Sequence, residues 1–261
     1  MKKQSLLALS FITSAAILLS SCQKDLQTNA ADEVLGTPLP GQQTYCRIES
    51  VWEKLVTGEQ LFRLVLYNEF ENPIAITSPV LGTGNTYHEF KYDQWHRLKE
   101  HIGHMDHGQF QNWHFYGYDN SGRIGYDTTY WFGTLGEKPT NYWFREYATY
   151  EYDNQNRIVK VTGHNDQVSL GSITYAYDAA GNLIHPPSDG IEYDNKININ
   201  RTNDIWMFLS RDYSVNNPFI ANAYNSSGYP TIIGSARYNW AGTEIRLAQS
   251  QFGYSCRQAY W

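Results

Sequence analysis

An all-β, antiparallel fold built from repeated hairpins follows from three observations along the chain. Eight strands close in Tyr-Asp or Tyr-Asn before a polar turn, at Tyr67, Tyr92, Tyr118, Tyr152, Tyr177, Tyr193, Tyr224 and Tyr238. Upstream of these sites aromatic residues stand two apart, as in Phe90 and Tyr92, Tyr116 and Tyr118, Tyr150 and Tyr152, Tyr175 and Tyr177. Beyond residue 21 the sequence carries no helical periodicity. A period of two puts alternate side chains on one face of a strand. A turn-and-strand repeat at intervals of 25, 26, 34, 25, 16, 31 and 14 residues implies one supersecondary unit used many times over. Steps near 25 fit a hairpin with its return strand, giving about 12–15 strands in all. Spacing alone does not choose among an open spiral, a barrel and a sandwich.

Residues 1–21 read as a secretory signal: Lys2 and Lys3, then an apolar stretch from Leu6 to Leu19. Leu19-Ser20-Ser21-Cys22 resembles the lipobox of bacterial lipoproteins, which implies cleavage before Cys22 and a lipid on its thiol. Gln23-Lys24-Asp25 is similar to the export signal of surface lipoproteins in the Bacteroidota, which implies a place on the outer face of the outer membrane. Residues 22–44 are polar and broken by Gly36, Pro38, Pro40 and Gly41, so they read as a flexible lipidated tether. The membrane partner is then reached through lipid alone, since no later stretch is apolar enough to span it.

Residues 45–261 form one stretch without a linker, long enough for a single β domain. Removing Lys2 and Lys3 leaves 18 basic against 26 acidic side chains, a net charge of −8, and no basic run remains. That balance argues against nucleic acid as a partner. Cys46 and Cys256 lie near the two ends of the domain. In an oxidising compartment they pair or stay as buried thiols, and the sequence weighs the two evenly.

The clearest units are Tyr118-Asp119-Asn120-Ser121-Gly122-Arg123-Ile124, Tyr152-Asp153-Asn154-Gln155-Asn156-Arg157-Ile158 and Tyr177-Asp178-Ala179-Ala180-Gly181-Asn182-Leu183. Asp119, Asp153 and Asp178 are expected to accept from the backbone two and three residues ahead. Gly122 and Gly181 supply the left-handed backbone, with Asn156 as substitute. The pattern resembles the YD repeats of the RHS family, which implies a spiralling β-sheet over residues 60–245. That family also carries a self-cleavage motif built on Asp-Pro, a dipeptide missing here, and eight units are too few to enclose a cage. The building unit carries over; toxin delivery does not.

Chemistry is sparsely marked. No Gly-x-Ser-x-Gly, phosphate loop or Cys-x-x-Cys occurs, so no catalytic residue and no cofactor is assigned. His101, His104 and His107 are weak metal candidates, because a spacing of three on a strand sends side chains to opposite faces. Aromatic residues make up 15% of the chain. Trp113, Tyr130, Trp131, Tyr142 and Trp143 are the candidates for stacking on sugar C–H faces, with burial as the competing role. The leading expectation is a non-catalytic surface module that binds carbohydrate or another protein. A metal-dependent or acid-pair hydrolase at His101–His107 is the alternative, and a purely structural spacer the third.

Overall fold

The computed structural model describes residues 44–54, 60–186, 190–234, 237–240, 243–246 and 249–258. The signal segment, Cys22 and the tether up to residue 43 lie outside the described residues.

Ten strands follow one another as a meander: β1 (Thr44–Lys54), β2 (Gln60–Tyr67), β3 (Pro73–Ile76), β4 (Tyr87–Tyr92), β5 (Leu98–His104), β6 (Gln109–Tyr118), β7 (Ile124–Thr134), β8 (Phe144–Tyr152), β9 (Ile158–Asn165) and β10 (Ser169–Thr174). After a connecting segment come β11 (Ala223–Tyr224), β12 (Pro230–Ile233), the hairpin β13 (Arg237–Trp240) with β14 (Thr243–Arg246), and β15 (Gln249–Gln258). Thirteen strands make one antiparallel sheet in the order β10 to β1, then β15, β12 and β11; β13 and β14 pair only with each other. Of the three expected closures, the structure takes the open one, with β10 and β11 as its edges. The first and last strands lie side by side within the sheet, Cys46 opposite Cys256, and the two cysteines form a disulfide.

The repeats at Tyr92, Tyr118 and Tyr152 are each built on three contacts. In the turn after Tyr118, Asp119 Oδ1 accepts from the amides of Ser121 (2.8 Å) and Arg123 (2.9 Å), two and four residues ahead. The expected bond to the third residue is absent because the Gly122 amide already donates to the Asp119 carbonyl at 3.0 Å. Gly122 sits at φ 78°, Gly181 at 86° and Asn156 at 61°, so each predicted turn residue holds the left-handed backbone. Arg123 forks onto Asp119 Oδ2 through Nε and Nη2, and its guanidinium lies 4.6 Å over the ring of Tyr152 in the next unit. Arg97 and Arg157 repeat the arrangement on Asp93 and Asp153, over Tyr118 and Tyr177.

The repeat tyrosines then tie unit to unit. Each hydroxyl donates to a main-chain carbonyl of the preceding unit: Tyr67 to Ile48, Tyr92 to Pro73, Tyr118 to Leu98, Tyr152 to Ile124 and Tyr193 to Leu183, at 2.5–2.8 Å. Tyr254 reaches Pro230 at 2.6 Å, and Tyr177 reaches Ile158 at a longer 3.3 Å. Tyr224 departs from the rule and donates to Asp194 Oδ2.

The sheet buries one face against an element that sequence periodicity missed. A short helix, α1 (Asp204–Ser210), follows a 3₁₀ turn at Ile199–Thr202. Asn203 caps it by accepting from the Ile205 amide, and Arg211 ends it at φ 53°. Seven residues are too few to display a 3.6-residue period. Trp206 is fully buried among Ile48, Val51, Val65, Ile76, Phe90 and Phe252, and Phe208 packs with Tyr150, Ile158 and Val161. The inner face of the sheet is the one that carries α1.

Candidate ligand-binding cleft

The inner face is apolar where it meets α1 and polar in the row of residues beyond. Four residues before a repeat tyrosine, on the same face, stand Arg63, His88 and His114. Glu53 on β1 faces Arg63 Nε at 3.5 Å, both side chains about nine-tenths buried. Arg63 Nη2 donates to Asn85 Oδ1 at 3.0 Å. Thr86 Oγ1 meets His88 Nε2 at 3.0 Å, and His88 Nδ1 meets His101 Nε2 at 2.9 Å. The His101 ring is stacked between Phe90 and His114, at 4.6 and 5.4 Å. His114 Nδ1 then contacts Thr129 Oγ1 at 2.8 Å and Asp127 Oδ2 at 3.1 Å. A polar row thus crosses from β1 to β7 through the interior of a sheet.

Burial sets the electrostatics of this row. It pushes the His88 imidazole down to about 3, with the Arg63 charge adding to the effect, and pushes His101 well below its ordinary value. Both rings are therefore neutral at physiological pH. Burial also raises the Glu53 carboxyl, against the opposing pull of Arg63. His101 Nδ1 is buried with no hydrogen-bond partner among the described residues, an arrangement that costs stability. Packing alone does not account for such a row.

The row opens to the surface at β7 and β8, in a cleft of about 200 Å³. His114, Asp127, Trp131, Glu146 and Arg211 bring its functional groups together. Asp127, as a carboxylate, accepts from His114 Nδ1. Arg211, held at the end of α1, interacts with the hydroxyls of Tyr150 and Tyr175 and with the Asp127 charge. Glu146, beside Thr129 across the β7–β8 pair, accepts from Trp131 Nε1 at 2.8 Å. Trp131 stacks on Phe144 (6.0 Å, 20° between planes), and Phe132 packs against Trp143 at 5.0 Å. Trp143 is 78% exposed and Phe144 41%; neither lines the cleft, but Phe144 stacks on the Trp131 that does, so aromatic surface next to that ring faces solvent.

A larger groove, of about 760 Å³, runs between the repeat turns and α1. Of its four arginines, Arg97, Arg123 and Arg157 are already forked onto their own aspartates and Arg201 reaches the Tyr213 carbonyl at 3.4 Å. We therefore assign the site to the smaller cleft, whose polar groups have capacity left for a ligand.

The sequence candidates divide between the two faces. Trp131 lines the cleft, and Trp143 is exposed and packed on the adjacent Phe132. Trp113 is 2% exposed; it packs on Phe110 and donates to Glu100 Oε2 at 3.1 Å, so it offers no ring to a ligand. Tyr130 contacts Phe115 on the outer face and is met edge-on by Tyr142 at 4.7 Å, away from the cleft. Adjacent residues on a strand point to opposite faces, and that separates Tyr130 from Trp131. The three histidines also part. His101 is buried inside, His104 pairs with Glu89 at 2.8 Å, and His107 is exposed in the turn at Asp106–Gly108. Among the described residues no three His, Cys, Asp or Glu side chains converge as a metal site. His101, His104 and His107 thus do not meet at one point.

Sequence reading missed His114, Asp127, Glu146 and Arg211. Asp127 and Thr129 are buried and hydrogen-bonded to His114. The chain matches no protein family, and no curated protein matches it in sequence.

Proposed function

We propose that this is a non-catalytic binding module, carried on the bacterial outer membrane by lipid at Cys22, whose ligand is carbohydrate. One observation carries the reading: a cleft furnished with carboxylates, a guanidinium and an imidazole is lined by Trp131, on which the exposed Phe144 stacks, while the exposed Trp143 packs on the adjacent Phe132. Flat rings stack on the C–H faces of sugars, while convergent donors and acceptors fix the hydroxyls and so the orientation. The lipobox-like Leu19-Ser20-Ser21-Cys22 supports the anchor, and the net charge supports a ligand other than nucleic acid.

The test is a glycan array probed with the full chain in mild detergent, beside Trp143→Ala and Phe144→Ala. Both side chains are exposed, so neither change disturbs the core. Glycans bound by the wild type and lost from both folded variants support the reading. A wild type that binds no glycan, or binds equally well without the two rings, overturns it. Metabolic labelling with a fatty acid, in the wild type and in Cys22→Ser, checks the anchor separately.

A further inference from the structure

The cleft holds two carboxylates with unequal surroundings. Asp127 has the His114 N–H and the Arg211 charge to answer it. Glu146 has the indole N–H of Trp131, a neutral donor, as its hydrogen-bond partner among the described residues. The cleft therefore carries one uncompensated negative charge beside ring faces, within a chain whose own net charge is −6. A carboxylate next to aromatic rings is the chemistry that holds an ammonium group, through a charge-assisted hydrogen bond and cation–π attraction. Its volume, about 200 Å³, falls below the roughly 300–1,000 Å³ of pockets for drug-sized ligands, and suits one sugar ring.

We propose that the cleft is selective for sugars bearing a free amine, with the ammonium at Glu146 and the ring packed against the aromatic surface at Trp131. This rests on the carbohydrate reading and sharpens it to a class. Asp127 and Arg211, a compensated pair, serve the hydroxyls. Acidic sugars are disfavoured, because a further carboxylate would join Asp127 and Glu146 against the single guanidinium of Arg211.

The experiment is calorimetric titration of the full chain in mild detergent at pH 6, where a sugar amine is protonated. The ligands are the methyl glycosides of glucosamine, N-acetylglucosamine, glucose and glucuronic acid. The amine is expected to bind at least about tenfold tighter than glucose, the factor one charge-assisted hydrogen bond supplies, with glucuronate weakest. Glu146→Gln keeps an acceptor for the Trp131 indole and so keeps the fold. In this variant the ratio of amine to glucose affinity should collapse toward unity. Equal binding of amine and glucose to the wild type, or an advantage that survives in Glu146→Gln, overturns the proposal and leaves carbohydrate binding standing. Failure of all four sugars to bind overturns the proposal, and joined to an empty array it removes the carbohydrate reading as well.

Discussion

Removing the hydroxyl of Tyr152 tests whether the repeat is held together by its tyrosines or by the sheet alone. The hydroxyl donates to the Ile124 carbonyl at 2.7 Å in a partly buried setting, while the ring keeps its stack under Arg123. Tyr152→Phe deletes one hydrogen bond and leaves the packing untouched. A net loss of about 1 kcal/mol is expected, the usual worth of such a bond. For a domain of this size that lowers the melting temperature by about 2–4 °C. Tyr118→Phe should match it, since its bond to Leu98 is also 2.7 Å. Tyr177→Phe should lose less, its bond being stretched to 3.3 Å. Tyr126→Phe is the control, 55% exposed and outside the series of ties. The assay is urea unfolding followed by circular dichroism for the four variants under identical conditions. A Tyr152→Phe variant indistinguishable from the Tyr126 control, or a loss at Tyr177 exceeding those at Tyr118 and Tyr152, would refute the reasoning.

Two further outcomes follow from the same geometry. His88 and His101 are held neutral in the fold and gain protons near 6.5 when unfolded, so the unfolded chain binds more protons below about 6.5, at His88 down to about 3. Stability is therefore full above about 6.5 and falls as the pH drops toward 3, by up to about 1.4 kcal/mol per pH unit for each ring; Glu53, raised by burial, pulls the opposite way above its own unfolded value, and unfolding midpoints of Tyr-intact chains carrying His88→Gln should show the shallower slope that isolates the histidine. Gly122→Ala places a methyl in open space, with no atom within 4 Å, yet at φ 78°. It should cost about 1–2 kcal/mol through backbone strain alone, and a melting curve superposed on the wild type would show that the turn tolerates an L side chain.

The turns were legible because their instructions are local. Asp119, Gly122 and Arg123 act within seven residues, and any unit can be read without knowing its neighbours. The cleft was hidden because its residues come from β6, β7 and β8 and from the end of α1, so that only the register brings them together. A usable signal did exist on the rising strands: stepping back by two from Tyr67, Tyr92 and Tyr118 leads to Arg63, His88 and His114 on the inner face. On the returning strands the same count fails. Each pairing carries a register shift next to the repeat tyrosine, as between Lys91 and Tyr92 or Gly117 and Tyr118. One extra residue reverses which face every later side chain takes. Leu98 and His101 thus both face inward, as do Ile124 and Asp127, three apart instead of two. Burial of Trp113 was equally beyond a local reading, since its cover comes from Phe110, Phe115 and the ammonium of Lys91 at 5.5 Å.

The disulfide has a mechanical meaning. A pull on the chain ahead of Thr44 loads β1 first, and β1 is flanked by β2 on one side and β15 on the other. Only the pairs Thr44–Gln258 and Tyr45–Arg257 precede Cys46 in the ladder with β15. Once those two have peeled, tension passes into Cys256 through a covalent link and is shared between the two ends of the polypeptide. The leading strand cannot then be drawn out alone, and force arriving from that side is arrested at the third residue of the sheet.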